Sequence, residues 1–178
     1  MQAKRAAAYK AVEAVTEGMI VGLGTGSTAA FAIERLGHLV QNGLAITAVG
    51  SSLATEVAAR NAGIPMIDFT ALSRVDLYID GADEVDAHFN LIKGGGGALV
   101  REKIVAFNST TFIVIIDHSK QVQTLGTVPL PVEVVPFAVN LTMRHLEKSG
   151  GIGVLRQKKE SRLFQIMAIT LLICNCLV

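Results

Sequence analysis

Short apolar segments alternate with helical patterns along the first two thirds of this chain, and this alternation constrains its fold more than any other feature. The apolar runs have the length of strands, and glycine, proline or charged residues follow them. Such alternation predicts an α/β fold, in which helices cover a mostly parallel, Rossmann-like sheet. The predicted strands are 19–23, 45–49, 66–69, 75–79 and 111–116, and the predicted helices are 4–16, 29–40, 53–62 and about 98–107.

The pattern changes after Leu125, where three prolines bracket an extended Val-rich run. A helix is predicted over 138–148, and a short strand follows near residues 154–155. We therefore predict an α/β catalytic domain over residues 1–125. An incomplete α+β domain should occupy residues 126–178, with an atypical tail from about residue 157.

Composition excludes several classes of protein. With 16 basic and 15 acidic residues, the chain lacks the broad positive field that nucleic acid or anionic lipid would require. Cys174 and Cys176 form neither a disulfide framework nor a zinc pattern, and the four histidines lack metal-ligand spacing. We therefore expect no metal site. The charged N-terminal segment is unlike a signal peptide, so we expect a cytoplasmic protein.

Four consecutive glycines at 94–97 follow the apolar pair Leu91-Ile92 and Lys93, and they precede a helix that carries Glu102. Consecutive glycines lose much backbone entropy on folding, so a chain accepts them where the backbone turns sharply or approaches a ligand. The segment therefore predicts a strand, a tight loop and a helix, with a cation and a carboxylate beside an open backbone. The alternative is a flexible surface loop followed by an ordinary charged helix.

A second glycine-rich turn, Gly24-Thr25-Gly26-Ser27-Thr28, follows a predicted strand and opens a helix. Backbone N–H groups at a helix start, together with hydroxyls, suit a phosphate. The spacing is neither that of an ATP-binding P-loop nor that of a dinucleotide fingerprint, and the next strand ends without a ribose-binding acid. The alternative is a plain turn with a Ser or Thr cap.

Two carboxylates, Asp80 and Asp83, come directly after a predicted buried strand. They could orient sugar hydroxyls or move protons, or they could be solvated residues of a simple turn. Lys120, in the segment after Asp117, could supply a second cation or be merely solvated. In the predicted sheet the glycine turn, Asp80, Lys93 and Asp117 all lie at carboxyl ends of strands, where ligands bind.

Taken together, these motifs resemble those of ribose-5-phosphate isomerases of type A, and they occur in that family's order between residues 1 and about 156. The family interconverts ribose 5-phosphate and ribulose 5-phosphate in the pentose phosphate pathway, without metal or organic cofactor. The matching stretches are 21–29, 80–84, 93–103, 119–122 with 125–126, and 129–134.

The resemblance implies roles for individual residues. Glu102 matches the base that moves a proton between C1 and C2 through an enediolate, and Lys93 with the glycine amides matches the groups that stabilise the oxyanion. Asp80 and Asp83 match carboxylates that bind sugar hydroxyls and assist ring opening, and Asp80 also counts among the catalytic residues. The other matching substrate-binding positions are Lys4, Thr25, Gly26, Ser27, Thr28, Gly81, Ala82, Gly94, Gly95, Gly96 and Lys120.

The C-terminal segment departs from the family, whose members run some tens of residues longer. One back-translation of residues 164–178, read one frame over, gives Ser-Asp-Asn-Gly-Asn-Tyr-Ile-Ile-Asp, which restores a family motif. We therefore expect a frameshift between about 158 and 164, and a non-native tail that lowers stability. A membrane anchor is the weaker alternative, because these 15 residues fall short of the roughly 20 that span a bilayer.

Two functions remain open from the sequence. The first is an active isomerase that binds a small sugar phosphate and forms the family's usual homodimer. The second is an inactive, truncated fragment of the same fold that binds sugar phosphate without turnover. Sugar-phosphate deaminases and CoA-transferase-like proteins share this kind of fold, but the segment 93–103 favours the isomerase.

Overall fold

The computed structural model describes residues 1–157 and 164–168 of the chain. They form two compact units. The first contains Met1–Ala82 and Val100–Gln121, and the second contains Asp83–Leu99 and the described residues from Val122 onward. The segment 83–99, which precedes the boundary predicted at residue 125, thus groups with the second unit. The domain boundary itself stays a prediction.

The helices and strands follow the predicted alternation closely in the first unit. The helices are α1 (Gln2–Val12), α2 (Ala29–Gln41), α3 (Leu53–Asn61), α4 (Leu99–Phe107) and α5 (Val139–Lys148). The strands are β1 (Ile20–Leu23), β2 (Thr47–Gly50), β3 (Val75–Asp80), β4 (Glu84–Val85), β5 (Leu91–Ile92), β6 (Ser109–Val114), β7 (Leu130–Val134), β8 (Gly153–Gln157) and β9 (Phe164–Ala168).

A parallel sheet with the strand order β2-β1-β3-β6 forms the centre of the first unit and confirms the predicted fold class. Successive strand side chains point to opposite faces, so each strand supplies two cores. Leu77 and Ile79 pack in the cluster that includes α1 and α2, whereas Tyr78 packs with Val105 of α4. Helices therefore cover both faces, and the carboxyl ends of all four strands lie at one edge.

Two expectations for strands were wrong. Residues 66–69 form no strand; only Met66 makes an isolated bridge, to Ala48. The carboxylate of Asp68 accepts a hydrogen bond from the Thr70 N–H at 2.8 Å, and this cap turns the chain into a short 3-10 helix. Lys93 does not follow a strand of the parallel sheet either, because β5 pairs antiparallel with β4.

The second unit contains the β4-β5 pair, α5 and an antiparallel sheet with the strand order β7-β9-β8. The expectation that the tail from Phe164 is not native family structure stays a prediction, but its first residues, 164–168, belong to this sheet. They form the central strand β9, whose backbone pairs with neighbours on both sides. The proposed frameshift between 158 and 164, and residues 169–178 of the tail, lie outside the described residues. None of the described helices is long and apolar enough to span a membrane.

Candidate active site

The turn between β1 and α2 leaves several backbone donors unused. Within the described part of the chain, the N–H groups of Gly26, Ser27, Thr28 and Ala29 have no acceptor. Thr28 precedes α2 without a capping bond from its side chain, which argues against a plain capped turn. Gly26 has φ +123°, a conformation that side-chain-bearing residues rarely adopt. Free N–H groups at a helix start form an anion site.

Lys4 of α1 brings a positive charge to this turn. Its Nζ donates to Ser27 Oγ at 2.9 Å and lies 4.0 Å from Asp117 Oδ2. Asp117 also accepts hydrogen bonds from Ser119, which hold the pKa of its carboxyl below the usual range. Lys120 ends the same short turn, half-buried. The structure thus joins Lys4 to Ser27 of the glycine-rich turn, two residues to which the family resemblance assigns substrate binding.

A cluster of hydroxyl groups supports the turn from the side of β2. Thr25 Oγ1 lies 2.9 Å from Ser51 Oγ, 2.9 Å from Ser52 Oγ and 3.1 Å from Thr55 Oγ1. Thr55 in turn donates to the Gly24 carbonyl at 2.9 Å. No sequence motif had pointed to this cluster, although Ser51 and Ser52 follow directly at the carboxyl end of β2. It fixes the conformation of Thr25.

Asp80 is a buried anchor and not a solvated turn residue, since none of its surface is exposed. Its Oδ1 accepts from the N–H groups of Thr25 at 3.1 Å and of Gly81 at 2.7 Å, and its Oδ2 accepts from the Tyr78 hydroxyl at 2.5 Å. The first of these bonds joins the glycine-rich turn to the end of β3. Gly81 and Ala82 come next in the chain, and Ala82 ends the segment Met1–Ala82 of the first unit.

Glu102 is buried in the first turn of α4, with 3% of its surface exposed, and it is the only carboxylate on that helix. Its neighbour Arg101 anchors the helix, because Nη2 donates to the Gly50 carbonyl at 3.0 Å and pairs with Glu56 of α3. A buried carboxylate in a fixed helix can act on a proton without competition from water.

The tetraglycine segment forms a tight loop in the second unit. Gly94 and Gly97 have φ values of +105° and +81°, and the Gly97 N–H donates to the Gly94 carbonyl at 2.9 Å. The Gly95 N–H donates to Asp83 Oδ2 at 2.7 Å, and the Gly95 carbonyl accepts from Arg156 Nη1 at 2.8 Å. A Cβ at position 95 would lie 2.7 Å from Asp83 Oδ1, so any other residue there would displace the Asp83 side chain.

This loop differs from a cradle in which every glycine amide is free. The amides of Gly95 and Gly97 already have acceptors, whereas the Gly96 N–H has none within the described residues. Asp83 Oδ1 likewise has no partner there. Among these three glycines, only the Gly96 N–H therefore lacks an acceptor within the described residues, and Asp83 holds the loop with one of its two carboxylate oxygens.

Glu84 is a further buried carboxylate of the second unit, with 1% of its surface exposed, and its sequence context predicted no role for it. It accepts from the N–H groups of Gly126 at 2.6 Å and Val128 at 2.7 Å, and from the Thr127 hydroxyl. Burial raises the pKa of Glu84, but these hydrogen bonds outweigh it, and the pKa lies below its usual value. Glu84 thereby fixes residues 126–128 beside Asp83.

We expect Glu84→Gln to lower the melting temperature at pH 7 by about 3–10 °C, because a charged acceptor of buried donors is lost. A carboxyl group whose pKa is lower in the folded than in the unfolded chain stabilises the fold at pH values above its pKa in the unfolded chain. The difference in melting temperature between parent and Glu84→Gln should therefore shrink below about pH 4. Thermal unfolding at both pH values checks it. Glu147→Gln, on the exposed face of α5, is the control. An unchanged difference at low pH would contradict the role of the charge.

The residues described include no group of three or more His, Cys, Asp or Glu side chains that could hold a metal ion. The polar groups at the carboxyl edge of the sheet are instead arranged as donors to an anion and as buried carboxylates. This arrangement suits a small phosphorylated, hydroxyl-rich molecule.

Comparisons with known proteins identify relatives whose names include a sugar phosphate, in agreement with this kind of site. The family model for ribose 5-phosphate isomerase A (phosphoriboisomerase A) matches residues 47–170. The chain is 53% identical over 154 residues to ribose-5-phosphate isomerase A of Sphingopyxis alaskensis, covering 86% of this chain and 68% of that one. It is 46% identical over 161 residues to the enzyme of that name from Listeria monocytogenes, covering 90% and 72%.

Solved structures of the same kind share the fold. Ribose 5-phosphate isomerase A from Neisseria gonorrhoeae superimposes with a TM-score of 0.88 at 42% identity, covering 96% of this chain and 76% of that one. Ribose 5-phosphate isomerase from Plasmodium falciparum gives a TM-score of 0.88 at 36% identity, covering 95% and 78%. With its sheet, its glycine-rich turns and these relatives, the chain belongs to the ribose 5-phosphate isomerase A family.

Proposed function

We propose that this chain is an aldose–ketose isomerase that interconverts D-ribose 5-phosphate and D-ribulose 5-phosphate. Membership of the family supports this activity. The observation that carries the chemistry is the buried Glu102, held in the first turn of α4 directly after the tetraglycine loop. A base in this setting suits removal of a proton next to a carbonyl.

In this proposal the Glu102 carboxylate takes the proton from C2 of the open-chain aldose. The C–H electron pair forms the C1–C2 double bond, and the carbonyl oxygen O1 takes up the negative charge. Transfer of the hydroxyl proton from O2 to O1, and return of the carried proton to C1, gives the ketose. Lys93, Gly94 and the Gly96 N–H, which has no acceptor among the residues that the structure describes, are the proposed donors to the enediolate, whose charge requires preorganised partners.

Asp80 and Asp83 are proposed to act on the sugar itself. Asp83 can accept from a hydroxyl with Oδ1 while Oδ2 holds Gly95. Asp80 is proposed to assist ring opening from its fixed position beside Gly81 and Ala82. Both carboxylates are held by backbone donors, which limits the reorganisation needed when substrate binds.

The phosphate is proposed to bind at the start of α2. Four groups of donors support this site: the N–H groups of 26–29, which have no acceptor in the described part of the chain, the hydroxyl groups of Ser27 and Thr28, and the charges of Lys4 and of Lys120. A phosphate held away from the reacting carbons supplies binding energy that positions them.

We expect ribose 5-phosphate to bind at least about 100-fold more tightly than ribose, because a dianion gains charge-assisted hydrogen bonds. Calorimetry on the Glu102→Gln chain measures this without heat from turnover. Lys120→Met should weaken binding of the phosphorylated sugar alone, whereas Lys148→Met, on α5, should leave both affinities unchanged. Equal affinities for ribose and ribose 5-phosphate would rule out this phosphate site.

The alternative function is a fragment that binds sugar phosphate without turnover. The chain spans 68% and 72% of the two relatives described above, so its own activity requires a direct test. A coupled assay on the purified chain should show ketose formation from ribose 5-phosphate. Binding in calorimetry without any product would favour the inactive fragment instead.

Two further properties are proposed from the family resemblance. We propose a homodimer, and the exposed stripe of Val100, Ile104 and Phe107 on α4 offers apolar surface for association. Light scattering coupled to gel filtration tests the mass in solution. We also propose a cytoplasmic location, in keeping with sugar phosphate metabolism.

A further inference from the structure

The hydroxyl group of Tyr78 is a buried donor to the Asp80 carboxylate. Tyr78 has none of its surface exposed, and its hydroxyl donates to Oδ2 at 2.5 Å. Its ring stacks on Phe112 of the neighbouring strand β6, with ring centroids 4.9 Å apart and planes inclined by 23°. A ring held between a strand and a helix has little freedom, so the position of its hydroxyl is fixed.

The strand beside Tyr78 is shaped to admit its ring. A Cβ at Gly22 would lie 2.7 Å from Tyr78 Cδ2 and 2.8 Å from Val105 Cγ1. The glycine in the middle of β1 therefore leaves room for the aromatic ring under α4. This explains a glycine at a strand position where it otherwise weakens the strand.

The Tyr78 hydroxyl acts as a donor and not as a carrier of protons. Burial raises the pKa of Tyr78 far above its usual value, and the charges of Asp80 and Glu102 raise it further. The hydroxyl consequently stays protonated over the working pH range of an enzyme. With Thr25 N–H and Gly81 N–H on Oδ1, it gives Asp80 donors on both oxygens.

We propose that Tyr78 is a positioning residue of the isomerase, which acts on the sugar through Asp80. The inference rests on the proposed role of Asp80 in binding and opening the sugar. Removal of the hydroxyl takes this donor from Oδ2, while the Thr25 and Gly81 bonds to Oδ1 remain, so the carboxylate is held less firmly in its position. The loss should fall on steps that involve the sugar and not on binding of the phosphate.

The test compares Tyr78→Phe with Tyr9→Phe. Tyr9, the other tyrosine of the chain, also donates to a carboxylate, Glu34 Oε1 at 3.2 Å, but on the surface between α1 and α2. We expect Tyr78→Phe to lower kcat/KM by about 10–100-fold, as for loss of a hydrogen bond to a charged group. Tyr9→Phe should retain the parental kcat/KM.

Two readouts separate positioning from a loss of structure. Calorimetry should show weaker binding of ribose 5-phosphate to Tyr78→Phe but an unchanged affinity for inorganic phosphate. In a double-mutant cycle, Tyr78→Phe should lower kcat/KM by less than about twofold when Asp80 is already Asn. Equal weakening of both ligands, or full additivity of the two substitutions, would overturn the inference.

Asp80→Asn measured alone distinguishes this inference from the proposal on which it rests. If Asp80→Asn retains the parental kcat/KM, the proposed role of Asp80 fails and the inference fails with it. If Asp80→Asn is impaired while Tyr78→Phe is not, only the positioning role of Tyr78 is excluded.

Discussion

We expect the Glu102→Gln chain to isomerise ribose 5-phosphate about 10²–10⁴-fold more slowly than the parent, because Gln keeps the size and hydrogen bonding of Glu without its basicity. The effect should be large because α4 carries no other carboxylate that could replace Glu102, and because Glu102 is buried. KM should change much less, because the proton is transferred after the phosphate and hydroxyls are bound. Initial rates at saturating substrate measure the loss.

The matched control is Glu13→Gln, which removes an exposed carboxylate that follows α1 and pairs with Lys10. It should leave turnover unchanged. Glu102→Asp adds a second test, because it keeps a basic group but shortens its reach. We expect an intermediate rate for it. Near-parental turnover in Glu102→Gln would contradict the assignment of the base.

Gly24→Ala should damage both stability and activity. A Cβ at position 24 would lie 2.0 Å from Asp80 Oδ1 and 2.2 Å from Asp80 Cγ. Neither side can yield easily, since Gly24 N–H bonds to the Ile79 carbonyl at 2.9 Å and its carbonyl accepts from Thr55. Overpacking of this kind costs about 1–3 kcal/mol, which corresponds to a drop in Tm of about 2–12 °C.

The effect of Gly24→Ala on kcat/KM should be larger than its effect on stability implies. The collision displaces Asp80 and the start of α2 together, and a displacement of about 1 Å in a site can lower the rate about 10²-fold. Gly81→Ala is the control for stability, because its Cβ would lie 3.7 Å from the Ile115 carbonyl, an ordinary contact. A Gly24→Ala chain with parental Tm and kcat/KM would show that Asp80 is not held as described.

Local periodicity was enough to predict most of the first unit. Strands β1, β2, β3 and β6 and helices α2 to α4 lie within a few residues of their predicted positions. Strands with a period of two and helices with a period near 3.6 leave this signal in neighbouring residues. The prediction of a strand over 66–69 was wrong because a side-chain cap at Asp68 competes with an extended conformation there.

The candidate site was predicted less completely. The motifs identified Glu102, the two glycine-rich turns, Lys93 and the Asp80–Asp83 pair, because each stands within a short stretch of unusual sequence. They did not show that Asp80 is fully buried, or that the Gly95 amide is already bonded to Asp83. Those facts depend on which side chains surround each motif.

The sequence by itself therefore determined the parallel sheet, the glycine-rich turns and the identity of the proposed base. Only the tertiary structure decided which polar groups meet: Ser51 reaches Thr25 across 26 positions, and Glu84 reaches Gly126 across 42. Strand order and register bring these groups together, and neither is encoded in the spacing of neighbouring residues. The sequence pattern likewise indicates only that Tyr78 is a residue of a buried strand. Its hydrogen bond to Asp80 is evident only from the tertiary structure.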